Sequence, residues 1–184
     1  MPHMIGRRVM LREYRQDDFT AIRKWVNDRE TTQYLSGIFW FPQTETDTND
    51  FLARVMRGSP NGAFFVIADI KDQQYIGQLD IFEINWKLRM GTVGMVIGTD
   101  EHRGKGYGTE ALKLLVEYAF RVLGLERLQL DVYAENIGAV RCYEKAGFVH
   151  EGTRRHAAMV DGRYSDVHMM AVIKEDFESL KNKE

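Results

Sequence analysis

The spacing of apolar residues changes along the chain and predicts which segments form helices and which form strands. An opening strand in "RRVMLREY" is followed by helical spacing in "DDFTAIRKWV" and in "TETDTNDFLARVMRG", where Thr44 and Gly58 suit a helix start and stop. Three runs rich in β-branched and aromatic residues come next: "AFFVIADI", "QYIGQLDIFEI" and "MGTVGMVIG". Short polar turns separate these runs, which predicts an antiparallel meander.

The second half of the chain alternates between the two periods. The helix predicted from Thr109 onward has one apolar face, formed by Leu112, Leu115, Val116, Ala119, Val122 and Leu123. A strand in "ERLQLDVY", a short helix in "NIGAVRCYEKAGF" and a strand pair turning at Asp161 and Gly162 follow. This order predicts an α+β fold with a mixed, mostly antiparallel central sheet flanked by helices. No linker rich in Pro, Ser or Gly interrupts it, so residues 1–184 are interpreted as a single domain.

Composition narrows the function classes. The 184 residues are 44% apolar and carry a formal net charge of −2, so no basic bias favours a nucleic-acid partner. No apolar run approaches the roughly 20 residues that span a bilayer, and the start "MPHMIGRRVM" lacks a signal-peptide core. Cys142 is alone, which is typical of a reducing compartment, and a cytoplasmic location without membrane association is expected. The histidines at 3, 102, 150, 156 and 168 show no familiar metal-ligand spacing, so no metal is predicted.

The stretch "RGKGYGTE" places Gly104, Gly106 and Gly108 directly ahead of a strong helical pattern. A helix N-terminus presents free backbone N–H groups and partial positive charge, and glycines let those groups approach phosphate oxygens. Arg103 and Lys105 add charge. The alternative is that the glycines serve packing at the start of the helix. The loop lacks the ending of an NTPase phosphate loop and the βαβ context of a dinucleotide site.

The loop resembles the pyrophosphate-binding motif [RQ]-x-x-G-x-[GA] of the GNAT superfamily of acyl-CoA-dependent N-acetyltransferases, with Arg103, Gly106 and Gly108 at its defined positions. The downstream "NIGAVRCYEKAGF" is similar to that superfamily's second signature. "LREYRQDDFTAIRKWVNDRETTQYL" and "GTRRHAAMVDGRYSDVHMM" resemble the two ends of its RimJ/RimL-like branch. The resemblance implies acetyl-CoA as cosubstrate, with a loop site formed by Arg103, Gly104, Lys105, Gly106, Tyr107, Gly108 and Thr109.

The resemblance also implies roles outside the loop. The main chain of Met95, Val96 and Ile97 would lie along the cofactor arm, with one backbone N–H polarising the thioester carbonyl. Tyr143 matches the position of the general acid that protonates the leaving thiolate. Asn136 is a helix cap, a cofactor contact, or both, whereas Cys142 is interpreted as a packing residue rather than a nucleophile.

The general base is harder to assign from the sequence. Many RimJ/RimL-like relatives carry a glutamate in an A-E-[IL]-G context before the loop, but this chain has "GTVG" at 91–94. Glu83, near the end of the preceding strand, is the substitute candidate, and Asp80 is the second choice. A lysine-like amine costs about 4.6 kcal/mol to deprotonate at neutral pH and an α-amine only about 1 kcal/mol, so a missing base mildly favours α-amines.

Three functional hypotheses therefore stay open. The first is N-acetylation of a primary amine, either a peptide or protein N-terminus or a small amine, by direct attack in a ternary complex. The second is a spermidine-type polyamine acetyltransferase, because "FEIN" and "DGRY" also resemble that group. The third is a non-catalytic acyl-CoA-binding or sensing domain.

The acceptor cleft and the oligomeric state are predicted only in outline. Aromatic residues of the N-terminal helices and the C-terminal hairpin would form the cleft, and the candidates are Trp25, Tyr34, Trp40, Phe41 and Tyr164. An edge strand near the C-terminus makes a homodimer a further expectation.

Overall fold

The computed structural model describes residues 4–181, so the first and last three residues of the predicted 1–184 domain lie outside the described part. The described strands are β1 (Met4–Ile5), β2 (Val9–Arg12), β3 (Ala63–Asp69), β4 (Tyr75–Asn85), β5 (Met90–Ile97), β6 (Arg127–Tyr133), β7 (Val149–Val160) and β8 (Arg163–Ile173). The described α-helices are α1 (Phe19–Trp25), α2 (Arg29–Thr32), α3 (Glu45–Arg57), α4 (Tyr107–Arg121), α5 (Ile137–Lys145) and α6 (Lys174–Lys181).

The strands form one sheet in the order β1-β2-β3-β4-β5-β6-β8-β7. Neighbouring strands are antiparallel throughout except β5 and β6, which run parallel because α4 crosses between them. The predicted mixed, mostly antiparallel sheet flanked by helices is confirmed.

Local sequence accounts for several element boundaries. The Thr44 side chain accepts a hydrogen bond from the Asp47 backbone N–H, and the Asp47 carboxylate accepts one from the Thr44 N–H, which forms a capping box at the start of α3. Asp161 and Gly162 join β7 to β8 with φ of 51° and 75°. Positive φ at both central residues is the requirement of a tight hairpin turn whose twist matches that of its strands.

The buried side chains form a cluster on each face of the sheet. Alternate residues of β2 show the division, because Val9 and Leu11 pack with α4 whereas Met10 packs with α1 and α3. Leu112 and Leu115 supply part of the buried face of α4, as the apolar spacing predicts.

Val122 corrects one detail of that helical face. The helix ends at Arg121, and the Val122 side chain is 69% exposed. The chain turns at Gly124, whose φ is 68°, so helical spacing no longer determines which side chains face the sheet beyond Arg121.

Candidate active site

A cleft opens where strands β5 and β6 stop pairing. The two strands pair from Met90 and Arg127 as far as Thr92 and Gln129, although both continue beyond these residues. The cleft has a volume of about 1020 Å³ and is lined by β5, β6, α5 and the N-terminal end of α4. The strands thus separate in the segment that the family resemblance associates with the cofactor arm.

The cleft edge of β5 carries backbone groups that β4 does not use. The Gly98 N–H donates to the Ile76 carbonyl at 2.9 Å, which sets the alternation of the antiparallel ladder. Because hydrogen-bonded and non-hydrogen-bonded pairs alternate, the N–H groups of Met95 and Ile97 are directed away from β4, into the cleft. The Val96 side chain packs into the cluster formed with α1 and α3.

The glycine loop leads into the N-terminus of α4 at one side of the cleft. Gly104 and Gly106 have φ of 70° and 85°, a region that residues with a Cβ rarely adopt. The first intrahelical hydrogen bond runs from the Glu110 N–H to the Gly106 carbonyl at 3.1 Å. The N–H groups of the first three residues of α4 therefore have no intrahelical acceptor, and these residues line the cleft.

The lack of a side chain at Gly108 allows close packing of α4 and also leaves its backbone N–H group accessible from the cleft. A Cβ at this position would lie 3.1 Å from the Met95 Cε and 3.3 Å from the Cys142 Sγ, so α4 approaches β5 and α5 closely here. The Thr109 hydroxyl lies 3.3 Å from the same Cys142 sulfur. Burial raises the pKa of the Cys142 thiol, which is consistent with its interpretation as a packing residue rather than a nucleophile.

Arg103 lies between the cofactor side of the cleft and helix α2. Its Nε donates to the Ile97 carbonyl at 3.3 Å, and Nη1 pairs with the Asp100 carboxylate at 2.7 Å. Nη2 donates to the hydroxyl of Thr31 on α2. Arg103 therefore connects the end of β5 to helix α2, whose Thr31 also lines the cleft.

Lys105 and Tyr107 are placed differently. The Lys105 side chain is exposed and is not part of the cleft lining, whereas its carbonyl accepts a hydrogen bond from Arg8 Nη1 at 2.9 Å. The Arg8 guanidinium also lies 4.7 Å from the centre of the Tyr107 ring, and Tyr107 does line the cleft. The structure thus brings Tyr107, but not Lys105, to the cleft.

Helix α5 contributes both of its predicted site residues to the lining. Asn136 caps the helix by accepting a hydrogen bond from the Ala139 N–H at 3.2 Å. Tyr143 is buried against Phe148, and burial raises the pKa of its phenol. Within residues 4–181 no hydrogen-bond partner is found for this hydroxyl, and no side-chain nitrogen or oxygen is both fully buried and unpaired. The Tyr143 hydroxyl therefore opens to the cleft.

The two candidate carboxylates of β4 have opposite environments. Glu83 follows a β-bulge, is exposed, and lies outside the cleft lining. Asp80 lines the cleft and is only 9% exposed. It accepts hydrogen bonds from the Tyr14 hydroxyl at 3.1 Å and the Phe65 N–H at 3.0 Å. Burial raises the pKa of Asp80 to about 7 despite these donors.

Three further lining residues were not predicted from the sequence. Gln78 lies on β4 two residues before Asp80, and its side chain is part of the cleft wall. Arg141 and Lys145 lie on α5 at the i, i+4 spacing that places both on one face of a helix. That spacing was visible in the sequence, but which face of α5 meets the cleft was not.

The predicted aromatic cleft residues divide into two groups. Trp25 and Tyr34 line the cleft. Trp40, Phe41 and Tyr164 are more than half exposed and lie outside its lining, so the expectation that they form the acceptor cleft is not met by the structure.

The described residues show neither a metal-binding cluster nor a membrane-spanning helix. Between residues 4 and 181, no group of three or more His, Cys, Asp or Glu side chains has a metal-binding arrangement, and His3 lies outside that range. Within the same residues, no helix is both long enough and apolar enough to cross a membrane.

Comparison with known proteins identifies the family. Residues 8–149 match the family described as acetyltransferase (GNAT) domain. The protein belongs to this acetyltransferase family, and acetyl-CoA is its cosubstrate. The predicted enzyme class, an acetyl-CoA-dependent N-acetyltransferase, is confirmed.

The similar proteins cover between about two thirds and nearly all of the chain. The chain is 28% identical over 169 residues to the spermidine N(1)-acetyltransferase of Vibrio cholerae, covering 91% of this chain and 94% of that protein. It is 36% identical over 115 residues to the probable N-acetyltransferase YjcK of Bacillus subtilis, covering 62% and 63%. Its fold is similar to the crystal structure of the Vibrio cholerae spermidine N-acetyltransferase in complex with CoA and spermine. That match has a TM-score of 0.80 and 27% identity, and it covers 93% of this chain and 98% of that one.

Proposed function

We propose that the protein acetylates a primary amine that Asp80 deprotonates, and that Tyr143 protonates the departing thiolate. The observation that carries this proposal is a buried carboxyl of pKa about 7 lining the same cleft as an unpartnered phenol hydroxyl. General bases act best when their pKa lies near the operating pH, and a phenol is protonated at neutral pH, so Tyr143 has a proton to donate as the C–S bond breaks and charge develops on the sulfur.

The residues of the cleft fit acetyl-CoA, which supplies an acetyl group activated as a thioester. The free N–H groups at the start of α4 suit phosphate oxygens, and Arg103, Arg141 and Lys145 supply positive charge around the cleft. The volume of about 1020 Å³ suits a large ligand. Asn136 would contact the cofactor arm while capping α5, so both of its expected roles are compatible.

The backbone of β5 would stabilise the charge that develops on the acetyl oxygen. The N–H groups of Met95 and Ile97 are held by the sheet and directed into the cleft, so they need no reorganisation as negative charge forms. Val96 lies between these two residues, and its side chain packs in the cluster formed with α1 and α3.

Asp80 replaces Glu83 as the proposed base because of where the two carboxylates lie. Asp80 pairs across the ladder with Gly94, where a Cβ would lie 3.3 Å from the Phe82 ring, so the side chain next to this pair is Phe82. Thr92, the position where many relatives carry glutamate, lies two residues away on the same strand and also lines the cleft. The proposed base is thus a carboxyl on β4, close to the position on β5 where many relatives carry their glutamate.

The acceptor is a primary amine, and two acceptor classes are carried forward. The similarity to spermidine acetyltransferases favours polyamines. A peptide or protein N-terminus or another small amine is the alternative, and a base at Asp80 would serve an amine of either class. The presence of both Asp80 and Tyr143 in the lining of one cleft disfavours a sensing domain that performs no chemistry.

The proposal includes three broader properties. One continuous sheet from β1 to β7 supports a single acetyltransferase domain across residues 1–184. The lone Cys142 supports a cytoplasmic location, and the formal net charge of −2 supports the proposal that no nucleic acid is a partner; no membrane partner is proposed either. The exposed edge strand β7 is the surface through which a homodimer would form.

The test is thiol release from acetyl-CoA with N-terminal peptides, spermidine and aminoglycosides as acceptors, across pH 6 to 9. We expect turnover with at least one class, and loss of most turnover in Tyr143→Phe without loss of acetyl-CoA binding. Measurable acetyl-CoA binding with no turnover on any acceptor would contradict the enzyme and favour the sensing domain.

A further inference from the structure

A buried relay of hydrogen bonds ends at Gln78 in the cleft wall. The Trp25 indole Nε1–H donates to the Tyr75 hydroxyl at 3.1 Å, and the Tyr75 hydroxyl donates to Gln78 Oε1 at 3.2 Å. Trp25 and Tyr75 are both buried, whereas Gln78 is only partly so and faces the cleft. The orientation of the Gln78 amide is therefore set by Tyr75, whose hydroxyl is in turn held by Trp25.

The donor and acceptor inventory of the relay determines which end of the amide is free. An indole N–H is only a donor, so the Tyr75 oxygen accepts from Trp25 and has its own hydrogen to donate. That hydrogen needs an acceptor, which is the Gln78 oxygen rather than its NH2 group. In residues 4–181 no acceptor is found for the Gln78 NH2, and none of the described polar side-chain atoms is fully buried without a partner. The two amide hydrogens are therefore available in the cleft.

Gln78 and Asp80 lie on the same face of β4. They are two residues apart on the strand, which separates their Cα atoms by about 7 Å and points both side chains to one side. The Tyr14 hydroxyl and the Phe65 N–H hold the Asp80 carboxyl as the relay holds Gln78. Side chains that extend in parallel keep roughly this spacing of about 7 Å. A ligand that forms one hydrogen bond of about 2.9 Å with Gln78 and another with Asp80 can therefore carry its amine and its oxygen on neighbouring carbons.

We propose that Gln78 determines acceptor specificity by donating a hydrogen bond to an oxygen on the carbon next to the amine-bearing carbon. The acceptor class is then an α-amino acyl compound or a 1,2-amino alcohol, and the inference rests on the proposed acetyltransferase function. A polyamine lacks such an oxygen, because its other nitrogens are protonated donors near neutral pH. A site built to donate a hydrogen bond discriminates against an analogue that cannot accept it.

The charge of the cleft supports this assignment. The lining carboxylates are those of Glu30, Asp80 and Asp131, and the basic lining side chains are Arg103, Arg141, Lys145 and His102. The Asp131 carboxylate is already paired with Arg154, and Asp80 is mostly protonated below pH 7. With the cations assigned to the cofactor phosphates, only the Glu30 and Asp80 carboxylates of the described lining are left to hold a ligand with two or three positive charges.

The decisive experiment compares glycinamide with isobutylamine, which has the same number of heavy atoms but no oxygen. Rates of thiol release are expressed per concentration of unprotonated amine, so the different degrees of protonation of the two acceptors do not enter the comparison. We expect wild-type kcat/KM to be about 10- to 100-fold higher for glycinamide. In Gln78→Glu, which keeps the acceptor for Tyr75 and removes the donor, this ratio should fall to near one because glycinamide loses more turnover than isobutylamine.

Matched variants separate specificity from structure. Gln74→Glu makes the same charge change in an exposed turn and should leave both the ratio and the rates unchanged. If Gln78→Glu does not fold, Gln78→Met removes the donor without adding charge and should abolish the same preference. Equal loss for both acceptors would show a purely structural role for Gln78, and a wild-type preference for isobutylamine or spermidine would also overturn the inference. Failure of the proposed function is a different outcome, because no acceptor would then be turned over at all.

Discussion

Replacing Asp80 by asparagine tests the proposed base through both stability and catalysis. The folded protein raises the pKa of this carboxyl from 3.8 to about 7 by burial. The asparagine oxygen can still accept from the Phe65 N–H, and its NH2 can donate to the Tyr14 hydroxyl, so the variant removes the ionisation while keeping the local contacts.

The sign of the stability effect follows from the raised pKa. Below about pH 4 the carboxyl is protonated in both the folded and unfolded states, so it imposes no ionisation penalty. Between pH 4 and 7 the unfolded chain ionises first, and the folded state loses stability relative to it as pH rises. The full penalty, reached above pH 7, is about 3 pKa units, or roughly 4 kcal/mol.

Urea unfolding of wild type and Asp80→Asn at pH 5 and pH 8 measures this effect. We expect the difference in free energy of unfolding, variant minus wild type, to be about 2 to 3 kcal/mol larger at pH 8 than at pH 5. A difference between the two proteins that does not change with pH would refute the buried, raised-pKa carboxyl.

The catalytic consequence is measured in the same pair of proteins. Wild-type kcat/KM should rise with pH through an apparent pKa near 7, and Asp80→Asn should lose that rise together with about 10²- to 10⁴-fold in rate. The ratio of the two pH profiles cancels the titration of the acceptor amine. Glu83→Gln is the comparison: loss of the rise there, with Asp80→Asn unaffected, would restore Glu83 as the base and refute Asp80.

Three other substitutions probe the rest of the site and the fold. Tyr143→Phe should lower kcat at least about 10-fold with acetyl-CoA affinity, measured by calorimetry, unchanged, whereas equal loss of both would contradict its role as an acid. Gly106→Ala should cost about 1 to 2 kcal/mol in urea unfolding and weaken acetyl-CoA binding, because φ is 85° there; unchanged values would show that the loop tolerates a Cβ. Arg12→Ala should cost about 3 to 5 kcal/mol because it leaves Asp18 buried at 4% exposure without its 2.7 Å partner. The double variant Arg12→Met/Asp18→Leu should recover part of that loss, and no recovery would place the cost elsewhere.

Much of the fold was predictable because its signals are local. The apolar periods located the main helices and strands, and Thr44, Gly58 and the Asp161–Gly162 pair marked their ends through hydrogen bonds and dihedrals within a few residues. Val122 was predicted wrongly because periodicity does not show where a helix leaves the sheet that buries it.

The sequence located some of the residues that line the cleft, but not Glu83 or Lys105, which lie outside it. The glycine loop and the Asn136 cap are features of short segments, so the sequence placed them at the start of α4 and α5. The second motif likewise placed Tyr143 on α5, and the structure puts it in the cleft.

The sequence by itself determined the class of fold, the glycine loop and the family, because each depends on contiguous residues. Only the tertiary structure distinguishes the environments of Asp80 and Glu83, since a β-bulge and the contacts with Tyr14 and Phe65 separate two carboxyls three positions apart, and the proposal of Asp80 as base rests on that difference. The free NH2 of Gln78 likewise depends on a relay that begins 53 residues earlier at Trp25. The pKa of a carboxyl and the orientation of an amide are set by their surroundings, and those surroundings exist only once distant strands and helices have packed together.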